Sequence, residues 1–278
     1  MSTPKISGSV LRFFRRIVRG YFKRHFHGVR VAGAEHFVAA GVADAASGKE
    51  APLLVYANHG SWWDPMVCIL LAERLMGGRR HYAPMDAAAL QRYKILQRVG
   101  IFPVEMKTAR GAVQFLRTGE EIVRGGGVLW VTPQGQFVDG RLRPLVFKPG
   151  LAALAARVAA STGRCRVMPL AIEYPFWDER LPECLLEFGE TVGVVAGDSA
   201  DAVQVRLIAA LETTMDSLRA RAVRRDAAGF ESLMDGTLGT GGFYGLGQRL
   251  KAIVLRRPYR AEHTPAEGRH VEGGGQDA

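Results

Sequence analysis

The stretch "PLLVYANHGSWWDP", residues 52–65, runs from an apolar segment rich in strand-formers, through a short polar turn, to a proline that opens a helix. "PLLVYAN" (52–58) has the continuous hydrophobicity of a strand covered on both faces. Asp64 followed by Pro65 is the usual pairing of helix cap and first helical residue, so a helix is expected from Pro65 to about Met76. A strand that turns directly into a helix is the building unit of an α/β sheet.

The same alternation continues along the chain. Strands are expected at "HYAPM" (81–85), "IFPVEM" (101–106), "GVLWVT" (127–132), "CRVMPLAIEY" (165–174) and "CLLEFG" (184–189). Pro103 places the second of these at a sheet edge or near a strand end. Helices are expected from Asp86 to Val99, with Gly100 as stop, from Thr108 to about Arg124, over 149–162 and over 198–224. The fold class read from this pattern is α/β: a single domain with a central, largely parallel sheet flanked by helices.

Before that domain, Val10, Leu11, Phe14, Ile17, Val18, Tyr21 and Phe22 recur at helical spacing, with Arg12, Arg15, Arg16, Arg19, Lys23 and Arg24 on the opposite face. Residues 1 to 34 hold eight Lys/Arg and no carboxylate before Glu35, so much of the +10 net charge sits at this end. Such a helix suits an anionic bilayer surface; an amphipathic helix packed on the domain would show the same stripe. The expected division is a membrane-surface helix over 1–27, the main domain over 28–228, a glycine-rich turn with a second basic helix over 229–257, and a disordered tail over 258–278.

Several classes are disfavoured. No segment reaches the roughly 18 unbroken apolar residues of a membrane span, and arginines interrupt any signal-peptide core, so a peripheral protein on the cytoplasmic face of the membrane is expected. The 47% of apolar residues suffices for a full core, and 23% charged residues fits a globular chain. The three cysteines lie singly in apolar stretches, without disulfide or zinc spacing. The basic residues match no nucleic-acid module, and no nucleic-acid partner is expected. No phosphate-binding glycine loop is present, and no metal or cofactor is expected.

His59 and Asp64 are the candidates for chemistry. Within one helix, residues five apart point roughly 140° from each other, but a strand-to-helix turn lets the two side chains meet. Asp64 can then fix one ring nitrogen while the other takes a proton from a hydroxyl, which is the base-and-orienter half of a triad. The alternative is a helix-capping carboxylate beside a strand-end histidine. Ser61 lies outside a G-x-S-x-G elbow, so a serine-dependent ester hydrolase is the weaker enzymatic alternative.

"NHGSWWDP" resembles the N-H-x-x-x-x-D motif of the glycerolipid and lysophospholipid acyltransferases, a family that includes 1-acylglycerol-3-phosphate acyltransferases. Three further blocks follow in the family's order: "GIFPVEM" (100–106), "TPQGQF" (132–137) continuing through "RPLVFKPG" (143–150), and "VMPLAIEY" (167–174). The resemblance covers about residues 30 to 175 and implies transfer of an acyl group from acyl-CoA or acyl-carrier protein to a membrane-embedded hydroxyl. It makes His59 the general base and Asp64 its orienter. It places Asn58, Gln134, Gly135, Arg143 and Lys148 on the substrate side, although Asn58 and Gly135 equally suit turn roles. Three departures matter: Glu105 stands where the family carries arginine, Gln134 stands where it carries glutamate, and Gln136-Phe137 replace a Thr-Arg pair. Without those arginines a phosphomonoester acceptor is disfavoured, and a catalytically silent lipid-binding protein of the same fold is a further alternative.

Overall fold

The computed structural model describes residues 3–43, 48 and 50–236. The expected second basic helix at 248–257 and the tail beyond it lie outside these residues.

Among the described residues, nine strands form one sheet: β1 (Gly28–Ala32), β2 (Leu53–Ala57), β3 (His81–Asp86), β4 (Ile101–Val104), β5 (Val128–Val131), β6 (Arg164–Glu173), β7 (Glu183–Phe188), β8 (Val192–Val195) and β9 (Glu231–Asp235). Their order is β4-β3-β5-β2-β6-β7-β1-β9, with β8 paired to the start of β6. From β4 to β6 every pairing is parallel. β7 runs antiparallel to β6, and β1 parallel to β7. The helices are α1 (Gly8–His25), α2 (Ala34–Gly41), α3 (Asp64–Leu75), α4 (Ala87–Arg92), α5 (Ala109–Arg124), α6 (Gly150–Thr162) and α7 (Ala200–Arg224).

β2 sits in the middle of the sheet and is buried along its whole length. Leu53, Val55 and Ala57 face a layer that includes α1, α2 and α3, whereas Leu54 and Tyr56 face α5, α6 and α7. This two-sided cover explains the unbroken apolar run, because no face of the strand meets water. Pro103 lies in the edge strand β4, as its missing N–H requires. Asp86 caps α4 through the Ala89 N–H. The helix expected to run unbroken to Val99 instead stops at Arg92 and continues as a 3-10 turn over Lys94–Val99, ended by Gly100 at φ 102°.

Two features depart from the expected division of the chain. β9 pairs antiparallel with β1, so the sheet runs past the boundary expected at 228. The N-terminal helix is also not a separate segment. Val18 and Phe22 of α1 are buried in the same apolar cluster as α3, and Phe26 just beyond joins them. Arg19 turns toward the domain and pairs with Glu73 of α3. The basic face is therefore split: Arg12, Arg16, Lys23 and Arg24 remain exposed, whereas Arg15 and Arg19 are half-buried. What α1 leaves outside is a row of large side chains one turn apart, Phe13, Ile17 and Tyr21.

Candidate active site

The carboxyl ends of β2, β5 and β6 lie side by side, and the segments that leave them build the site. In open α/β sheets this edge is where ligands bind, because the loops diverge there and leave a crevice. Asn58 follows β2 and is buried; its amide donates to the Ile172 carbonyl and accepts from the Ile172 N–H. The side chain thus stands in for a ladder partner that β2 no longer supplies. Leaving those two backbone groups unpaired would cost about 1–3 kcal/mol each. Asn58, placed by the resemblance on the substrate side, is buried, with its amide bonded to the Ile172 backbone.

The next residue, His59, is held from the other flank. Its backbone N–H donates to Gln134 Oε1 at 2.9 Å, and its carbonyl accepts from the Val138 N–H at 2.8 Å. Gln134 is buried and positions the histidine backbone. Gly135 follows in a tight turn at φ 66°, a conformation that favours glycine, and the Lys148 side chain lies across it. Arg143, also expected near substrate, spends its guanidinium on the Gly140 and Leu142 carbonyls and on Asp216 of α7. Of the expected binding residues, Lys148 alone is exposed while lying against this loop.

His59 Nδ1 and Asp64 Oδ2 are 2.7 Å apart. The strand-to-helix turn does bring together two side chains that a continuous helix would hold apart. Asp64 is the first residue of α3, but its carboxylate makes no capping bond to that helix. Oδ2 also accepts from the Ser61 N–H, and Oδ1 accepts from the Tyr174 hydroxyl at 2.6 Å. The Asp64 side chain is 1% exposed and that of His59 17%, so the pair has a buried end and an open end. His59 Nε2 makes no hydrogen bond among the described residues. With Nδ1–H turned to the carboxylate, Nε2 is the nitrogen free to accept a proton.

Aromatic side chains surround the open end. Phe137, 61% exposed, lies with its ring 4.5 Å from the His59 ring. Trp62 is exposed and stacks on Trp63, which in turn meets Tyr21, Phe22, His25 and Phe26 from α1 and the segment after it. Trp63 therefore belongs to the α1 interface, and Trp62 stays outside.

Other candidate chemistry is weak. Ser61 Oγ accepts from the Trp63 N–H, and among the described residues no hydrogen bond joins it to His59, as a serine nucleophile would require. His81 has both ring nitrogens engaged, one with Met76 and one with Trp130, and burial pushes its pKa down to about 4. The three cysteines are free, and burial raises each thiol above its ordinary range. No group of three His, Cys, Asp or Glu among the described residues converges as a metal site would need. Tyr174 and Phe137 were not identified as site residues from sequence. Phe137 stood out only as a departure from the family pattern, and nothing local marks Tyr174.

A family model described as Acyltransferase matches residues 28–173. Among solved structures, the chain is similar to the crystal structure of the 1-acyl-sn-glycerophosphate (LPA) acyltransferase, PlsC, from Thermotoga maritima. Identity is 17%, the match covers 77% of this chain and 79% of that one, and the TM-score is 0.52. No curated protein matches the chain significantly. The PlsC likeness concerns the fold: a mostly parallel sheet flanked by helices. The family match spans more than half of the chain, from β1 through β6, and includes every residue of the site except Tyr174, which follows it directly. This protein belongs to the acyltransferase family and is an acyltransferase.

Proposed function

We propose that the protein transfers a fatty acyl group from a thioester, acyl-CoA or acyl-carrier protein, to the hydroxyl of a lysolipid or related membrane alcohol. The observation that carries this reading is the His59–Asp64 pair, closed to solvent at the carboxylate and open at Nε2. The acceptor O–H gives its proton to Nε2 as its oxygen attacks the thioester carbonyl. Asp64 stabilises the imidazolium that results. Collapse of the tetrahedral intermediate breaks the C–S bond, and the imidazolium returns the proton to the departing sulfur. An intact pair with one nitrogen open also favours an enzyme over a silent lipid binder.

The acceptor we favour lacks a phosphomonoester. Arg141 is bound to Asp139 and Arg143 to Asp216, and an aromatic ring rather than a guanidinium lies against the base. Glu105 presents a carboxylate that accepts from Thr108 at the start of α5. Mass spectrometry of lipids from cells carrying the protein or lacking it tests this directly. The expected product is a new acyl ester on a lipid without a free phosphate; accumulation of a phosphatidic acid would overturn the acceptor class.

Attachment to the cytoplasmic face of the membrane through α1 is part of the same reading. No helix among the described residues is long and apolar enough to cross a membrane. The exposed Phe13, Ile17 and Tyr21 row, with Arg12, Arg16 and Lys23 beside it, suits insertion among anionic headgroups. Converting Phe13 and Ile17 together to glutamate should weaken partitioning onto phosphatidylglycerol vesicles by at least about 100-fold, since two lost insertions at roughly 1.5–3 kcal/mol each sum to about 3–6 kcal/mol. Both side chains are exposed, so the melting temperature should hold. Undiminished sedimentation would remove α1 as the anchor.

A further inference from the structure

We propose that Tyr174 is a positioning residue for acyl transfer, holding one oxygen of Asp64 so that the other stays aimed at the base. The inference rests on the reading of His59 as general base, and it adds a residue that sequence position alone does not mark.

Asp64 Oδ2 serves two donors, the His59 ring and the Ser61 N–H. Both bonds fall on one oxygen, so a twist about the Cβ–Cγ bond, which would carry Oδ2 out of line with Nδ1, is opposed from that side alone. The Tyr174 hydroxyl, 2.6 Å from Oδ1, supplies the missing restraint and is the donor to that oxygen among the described residues. A contact this short is typical of a hydroxyl donating to a carboxylate, which is about twice as strong as a neutral hydrogen bond.

Tyr174 is itself held. It follows the last residue of β6, its ring packs on the buried Phe26 at 5.6 Å, and the next residue, Pro175, accepts from the Glu183 N–H at the start of β7. The hydroxyl keeps its proton at any working pH, because burial, and then the neighbouring acidic groups including Asp64, raise it well above the ordinary phenol range. The other titratable groups facing the carboxylate are Cys68 from α3 and Cys184 from β7, thiols that burial keeps neutral. Tyr174 is therefore the neutral donor that opposes the charge of Asp64 on the side away from His59.

This gives a signed expectation. The dyad carries one negative charge when His59 is neutral and none when it is protonated. A donor on Oδ1 stabilises the charged form more, so its loss makes the dyad hold its proton more tightly, whichever atom carries it. In Tyr174→Phe the midpoint of the His59 ring titration, followed by nitrogen NMR on the full chain, should move to higher pH. The kcat for thiol release from palmitoyl-CoA, with a lysophospholipid supplied as acyl acceptor, should fall about tenfold with KM unchanged, as expected for loss of a group that orients a reacting residue. Replacing Tyr174 with 3-fluorotyrosine, a more acidic phenol of nearly the same shape, should move the midpoint to lower pH. If Tyr174→Phe fails to fold, the fluorinated protein decides the matter alone. A midpoint unmoved in every variant that folds overturns the proposal. Failure of the underlying reading is separately visible, because His59→Ala would then retain thiol release even where the midpoint responds to Tyr174.

Discussion

Thiol release from acyl-CoA should fall by about 10²–10⁴-fold in His59→Ala, the range over which a positioned general base accelerates proton transfer. Binding to vesicles and the melting temperature should stay close to wild type. The side chain lies at the open end of the pair, and its removal leaves Asp64 with two of its three donors, Ser61 N–H and the Tyr174 hydroxyl. The combination is informative. A loss of release together with a loss of fold would reflect the turn alone, whereas a folded, membrane-bound protein without turnover isolates the base. Undiminished release from folded His59→Ala would exclude His59 from the chemistry.

Asp64→Asn should lower turnover by roughly 10³-fold, because an orienting carboxylate supplies both alignment and the charge that stabilises imidazolium. The expected rotamer keeps the amide oxygen where Oδ2 now accepts from Ser61 and His59, so its NH₂ faces a tyrosine hydroxyl that has lost its acceptor. The size and burial of the side chain are preserved, and the protein should still fold. With the charge gone, the imidazolium is destabilised, and the acid limb of the kcat profile should move to lower pH. That direction is opposite to the one expected for Tyr174→Phe, although both variants alter the same carboxylate. Equal activity of Asp64→Asn and wild type across the pH range would reduce Asp64 to a structural residue.

The parts of the fold legible in the sequence are those encoded locally. "PLLVYAN", "GVLWVT" and "CRVMPLAIEY" read as strands because each is an apolar run covered on both faces, and Asp86 and Thr108 mark helix starts because their side-chain oxygens accept from N–H groups of their own first turns. β1, β8 and β9 escaped the reading. "ESLMD" carries a charge at each end, and what makes each of the three a strand is its neighbour: β7 and β9 for β1, β6 for β8, and β1 for β9. The inward turn of Arg19 was hidden for a similar reason. Periodicity defines a polar arc on α1 but cannot supply the Glu73 that draws part of it inside. At the site, His59 and Asp64 are legible because they stand only five positions apart. Tyr174 is 110 residues from Asp64 in sequence and reaches it only because β6 lies beside β2.

The packing of Phe22 and Phe26 against Trp63 has a practical corollary. Shortening the chain to begin at the first strand would uncover Trp63 and take away the ring on which Tyr174 rests. Such a fragment would expose fresh greasy surface beside its own reaction centre and aggregate. Recolouring the outward row of the first helix with charge, while leaving its inner side untouched, is the better way to reduce the exposed apolar surface of this enzyme.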